Sequence, residues 1–92
     1  MHPSLQSFKI VATAGRKILI TVTPSKPSCH FMLADESQFK TIANNPGPYN
    51  PVAGIRRVEL TNPTTEFTVP SDGTWYVIFD RREVSSANAE LV

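Results

Sequence analysis

The chain has 92 residues, 40% of them apolar and 18% charged, which supports one packed core and excludes a disordered chain or two self-sustaining domains. Nine basic against eight acidic residues leave a net charge of +1. That balance argues against duplex nucleic acid or an anionic membrane surface as a partner.

The opening residues, Met1-His2-Pro3-Ser4-Leu5-Gln6-Ser7, show no basic segment followed by an apolar stretch, so no signal peptide is visible. From Ser7 to Thr13 the residues alternate, with Phe8, Ile10 and Ala12 on one face and Lys9, Val11 and Thr13 on the other. Ala14-Gly15 suits a tight turn, because glycine accepts positive φ. Lys17 to Thr23 resumes the alternation with Ile18, Ile20 and Val22 together. These two strands are expected to form a hairpin. Pro24 and Pro27 end the second, since proline cannot donate to a sheet ladder.

Cys29 to Ala34 is the third predicted strand. Cys29, Phe31 and Leu33 share one side, His30, Met32 and Ala34 the other, and apolar residues on both sides place it centrally. Asp35 to Ile42 is the one segment with helical character. Asp35 is placed to cap it, with Gln38 at the reciprocal position of a capping box, and Phe39 and Ile42 are spaced to pin the turn to the core.

Ala43 to Gly54 reads as a long loop, stiffened by Pro46, Pro48 and Pro51. Ile55 to Leu60 is a strand with Arg56, Val58 and Leu60 on one face. Thr65 to Val69 is another, bounded by the Asn62-Pro63 and Pro70-Ser71-Asp72-Gly73 turns, with Gly73 expected at positive φ. Thr74 to Asp80 is the strongest strand, with Trp75, Val77 and Phe79 facing one way and Tyr76 and Ile78 the other. Trp75 is expected in the core. Ala87 to Val92 closes the chain as an edge strand or a frayed end.

The chemistry-bearing residues are few. Cys29, the only cysteine, excludes an internal disulfide and a multi-cysteine zinc site. Cys29 and His30 are adjacent in a strand, so they point to opposite faces and should not form a nucleophilic pair. Cys29 reads as core packing and His30 as structural or edge-facing. Asp35 and Glu36 are paired carboxylates that suit acid–base work or a divalent cation, although capping by Asp35 needs neither. Asp80 abuts Arg81 and Arg82, which suggests a local ion pair. If their strands were neighbours, one arginine from Arg56-Arg57 and one from Arg81-Arg82 could make a bidentate anion clamp, although ordinary solubility accounts for both pairs without one. Tyr49, with Asn50, is placed either as an aromatic anchor for a partner, near Arg56 and Arg57, or as a lid folded back over the core. No Gly-rich phosphate cradle, serine elbow or metal cluster is present, and no cofactor is expected.

The order of four pieces resembles a small bacterial β-sandwich family of unknown function, sometimes fused to TIR (Toll/interleukin-1 receptor-like) domains. The pieces are a strand after Gly15, then Met32-Leu33-Ala34-Asp35 with Gln38-Phe39, then Gly54 before a strand, then Phe67-Thr68-Val69-Pro70-Ser71-Asp72-Gly73-Thr74-Trp75-Tyr76-Val77-Ile78-Phe79-Asp80. The Gly-Thr-Trp-Tyr-Val run is also similar to pre-peptidase C-terminal and GOLD-type sandwiches. After Asp80 the chain departs from the pattern, with Arg81-Arg82-Glu83 in place of a glycine-containing continuation. The resemblance implies a fold and a bacterial signalling or defence setting, and it brings no catalytic residues.

The expected architecture is therefore a single antiparallel β-sandwich of six or seven short strands, jelly-roll-like or a small barrel, with one helical turn near residues 35–42. The expected role is a non-catalytic, cytoplasmic binding or protein-interaction module for a protein or small polar ligand, with Tyr49, Asn50, Arg56 and Arg57 as contact residues. The alternatives are a homo-oligomer assembled through edge strands and a hydrolase using Asp35, Glu36 or Asp80.

Overall fold

Each alternating segment becomes a strand, and the order is β1 (Leu5–Ala12), β2 (Lys17–Pro24), β3 (Cys29–Asp35), α1 (Glu36–Ala43), β4 (Arg56–Leu60), β5 (Thr64–Thr68), β6 (Gly73–Asp80) and β7 (Val84–Leu91). The structure is a computed structural model that describes residues 3–27, 29–44, 56–60 and 62–92. The strands form two antiparallel sheets, one ordered β1-β6-β3-β4 and the other β5-β2-β7, and the sheets do not close into a barrel. The expected β-sandwich is what forms, with seven strands among the described residues. Among the described residues no helix is long and apolar enough to cross a membrane.

The inter-sheet core takes the apolar face of every strand. Ile10, Ile18, Ile20, Phe31, Leu33, Val77 and Phe79 are buried there. Phe79 is at the centre, edge-on to Phe8 at 5.8 Å and tilted against Phe31 at 6.3 Å, while Phe67 meets Phe31 edge-on. The four-stranded sheet has a second apolar face. There α1 covers Leu5, Ala34, Tyr76 and Ile78 with Ile42 and Phe39, and the Phe39 ring stacks on Tyr76 at 3.8 Å. The fold thus has three layers: helix, four strands and three strands.

Helix α1 starts where the sequence places it. The Asp35 carboxylate accepts the Gln38 backbone N–H at 2.8 Å, and the Gln38 side chain accepts the Asp35 N–H at 3.0 Å, completing the capping box. The helix runs two turns rather than one, because Phe39 and Ile42 both find apolar partners on the sheet.

The expected β1–β2 hairpin does not form. β1 pairs with β6 and β2 with β5 and β7, so the chain crosses from one sheet to the other at Gly15. Gly15 has the positive φ (87°) foreseen for it. Its N–H, however, donates to Val69 O, and Val69 N–H donates to Arg16 O, which starts the β2–β5 ladder. The apolar faces of β1 and β2 then look at each other across the core. In a hairpin they would lie side by side, and alternation alone satisfies both arrangements.

Trp75 departs from its expected burial. It is half-buried at the rim of the inter-sheet core, and its indole N–H donates to Ser71 O at 2.9 Å. It lies where β6 leaves its turn, so the ring covers the core from the end. Gly73 in that turn has φ 143°, as expected, in a region that side chains rarely adopt. Asp72 Oδ1 accepts the Ala14 N–H at 2.7 Å and clasps the turn to the β1–β2 crossing.

Candidate functional site

Among the described residues, a linked group of charged side chains lies where β6 runs into β7. Asp80, the last residue of β6, alternates onto the outer face and is only 5% exposed. A buried carboxylate needs compensation. Arg82 supplies it from two residues along, with Nε 3.0 Å from Oδ1 and Nη2 2.6 Å from Oδ2, while the Arg82 backbone N–H donates to Oδ1 at 2.9 Å. This is the fork-on-carboxylate pairing that arginine geometry favours. The Glu83 N–H donates to Asp80 O and closes the turn.

Glu83 extends the group to β3. Its Oε1 accepts the His30 backbone N–H at 3.1 Å and lies 3.4 Å from His30 Nδ1. Neighbouring chain ends are drawn in as well: Arg81 N–H donates to Ser4 O, and Ser25 N–H donates to Glu83 O. A hollow of about 190 Å³ lies between Lys26, Asp80, Arg82 and Glu83. Two cations line it with two carboxylates, and each carboxylate already accepts bonds from the protein. The arrangement is that of a lock joining the ends of β1, β3, β6 and β7. Sequence reading anticipated the Asp80–Arg82 pair, which is local. It missed His30–Glu83, whose partners are 53 residues apart.

The other sequence candidates are placed as follows. Cys29 is buried in the inter-sheet core, on the face opposite to His30, as its strand position required. Burial foremost, and then the Glu83 and Glu59 carboxylates, push its thiol above the ordinary range. Asp35 is the helix cap, and Glu36 is exposed in the first helical turn. Among the described residues no group of three or more His, Cys, Asp or Glu is arranged to hold a metal ion.

The anion clamp is not built. β3 lies between β4 and β6, so the two arginine pairs are not on neighbouring strands. They are also at opposite ends of the sheet. Arg56 pairs with Leu33, which is level with Val77 on β6, and Arg81 is roughly 13 Å further along at strand spacing. Arg57 pairs with Met32. Tyr49 and Asn50 lie outside the described residues, as does most of the long loop and the first residue, Ile55, of the strand expected after it.

No family model matches the chain, and no curated protein or solved structure is similar to it at a significant level.

Proposed function

We propose that the chain is a non-catalytic interaction module for a protein or a small polar ligand. The observation that carries this reading is how its acidic side chains are engaged. Asp35 accepts a helix N–H, both oxygens of Asp80 receive Arg82, and Glu83 receives the His30 N–H. Asp35 and Asp80 each serve a structural bond and Glu36 stands exposed in the first turn of α1, which weighs against the hydrolase reading that uses Asp35, Glu36 or Asp80. The one thiol is buried and kept protonated by its surroundings, so it is a poor nucleophile.

The contact surface assigned to the module is the loop carrying Tyr49 and Asn50, with Arg56 and Arg57. Its support lies in what flanks it. Before the loop, α1 is docked on the sheet through Ile42 and the Phe39–Tyr76 stack, and after it Arg56 enters β4 in register with Leu33. Firm anchors limit the ordering cost that a loop pays on binding. The resemblance described above would set such a module in bacterial signalling or defence, inside the cell. The test compares the native chain with a Tyr49→Ala, Arg56→Ala double variant in affinity capture from the host, followed by titration of the purified partner. Loss of binding with an unchanged unfolding midpoint supports the reading. Retained binding, or a collapsed midpoint, removes it.

A second reading, a homo-oligomer assembled through edge strands, is favoured by one observation: β1 is a long edge strand with no partner strand on its outer side among the described residues.

A further inference from the structure

Four strands end the two sheets, and they differ in how their outer edges are guarded. β4 and β5 have five residues each, and β5 starts directly after Pro63 and carries Glu66. Short length, proline and charge are the usual protections of an edge. β7 has eight residues, but its ladder with β2 shifts register at Thr23/Pro24, and the side chains on its solvent face, Ser86, Asn88 and Glu90, are polar. β1 has none of these protections beyond one lysine. Its eight residues contain no proline, and its ladder with β6 runs without a shift from Leu5–Asp80 to Ala12–Gly73. It also carries Val11, which is 66% exposed on the outer face.

We propose that the edge of β1 left without a strand partner among the described residues pairs antiparallel with β1 of a second copy, about a two-fold axis centred on Phe8. This rests on the oligomer reading and adds the strand and its register to it. The register follows from the side chains. Residues directly opposite in an antiparallel pair share a face, and continuing the four-stranded sheet across the axis requires core face to meet core face. Paired positions must therefore both be odd or both even. Centring on Lys9 would put two lysines directly opposite, which is repulsive. Centring on Ser7 would put Val11 opposite the partner's Pro3, outside the strand. Centring on Phe8 puts Lys9 opposite the partner's Ser7 and Val11 opposite the partner's Leu5. Val11 then meets the margin of the apolar layer under α1, to which Leu5 belongs.

A second copy is favoured over a foreign strand because in this register each outer-face residue of the edge from Leu5 to Val11 has a partner in the other copy, and no lysine is directly opposite a lysine. A net charge of +1 also gives two copies little reason to repel. Isologous pairing saturates both edges in a single closed contact and leaves no open template for further growth.

The test is sedimentation of the full chain across a wide concentration range, with matched variants. The native chain is expected to show a monomer–dimer equilibrium. Val11→Lys should weaken it by at least roughly tenfold while the unfolding midpoint of the monomer stays unchanged, since Val11 is exposed there. Val11→Thr, which keeps strand propensity, should weaken it less. Register is read by cross-linking: Ser7→Cys mixed with Lys9→Cys should form an intermolecular disulfide faster than Lys9→Cys alone. A native chain that stays monomeric overturns both this proposal and the oligomer reading. A dimer indifferent to both Val11 variants keeps the oligomer and removes β1 as its edge. Faster cross-linking of Lys9→Cys alone overturns the register.

Discussion

The two faces of the four-stranded sheet are both apolar, but they are covered in different ways. The inner face meets the three-stranded sheet β5-β2-β7 and shares its burial with the apolar faces of those strands, centred on Phe79 and Phe31. The outer face is covered by a two-turn helix through Phe39 and Ile42, so its burial depends on one capped segment staying docked. β6 lies beneath both layers, which is why Tyr76, Val77, Ile78 and Phe79 are all buried in succession. A strand whose residues alternate cleanly gives no hint of which face will be covered when both are apolar.

Truncation should separate the two layers. Phe79→Ala removes a ring with no exposed surface from the centre of the inner core, and a loss of about 3–5 kcal/mol is expected by urea unfolding. Phe39→Ala removes a half-buried ring from the outer layer and should cost about 1–2 kcal/mol, because the helix can partly resettle on Ile42. Equal losses would show that the helical layer is as integral as the inter-sheet core.

Trp75 sharpens the contrast from the rim. Its ring is half-buried and one hydrogen bond holds it to Ser71 O, so Trp75→Ala should cost about 2 kcal/mol, below the range of a fully buried aromatic. Thermal and urea midpoints of the variant check this, and a loss as large as that of Phe79→Ala would place the ring in the core proper.

The cap should matter to the outer layer alone. Asp35→Ala leaves the Gln38 N–H without its acceptor and should cost about 1 kcal/mol, with amide exchange speeding up in the first turn of α1 before any change in β2 or β5. Uniform acceleration through both sheets would show that the helix does not open separately.

The smallest effect is a pH dependence of the inner core. The Cys29 thiol is raised in the folded chain, so folding favours its neutral form. Below the thiol's ordinary value of about 8.5 both states are protonated and the group contributes no slope. Above it the unfolded thiol loses its proton first, so stability falls as pH rises toward the folded value. Urea midpoints should therefore drop more between neutral and alkaline pH for the native chain than for Cys29→Ser, and identical slopes would contradict the raised thiol. A thiol reagent should also react with Cys29 slowly until the chain unfolds.

Several features of local physics were readable from residue order. The Asp35–Gln38 capping box, the positive φ at Gly15 and Gly73, the Asp80–Arg82 pair and the opposed faces of Cys29 and His30 all involve residues within three positions of each other. The strands and their apolar faces were readable for the same reason, since side-chain alternation is set by the backbone. The contact residues proposed from the loop, Tyr49 and Asn50, remain a sequence-based assignment outside the described residues.

Tertiary structure alone decided how those faces were partnered. An apolar face is satisfied by any apolar face, so Phe8, Ile10 and Ala12 could meet Ile18, Ile20 and Val22 beside them or across the core, and the second arrangement forms. The same indifference put Tyr76 beneath a helix and Trp75 at the rim. It placed β3 between β4 and β6, parting the arginine pairs, and brought Glu83 to His30 across 53 residues. Hydrophobic burial is non-directional and does not choose between partners, whereas caps and turns are directional and short in range. Residue order therefore determined the strands, their faces and their turns, and only the packing of the whole chain decided which strand lies beside which.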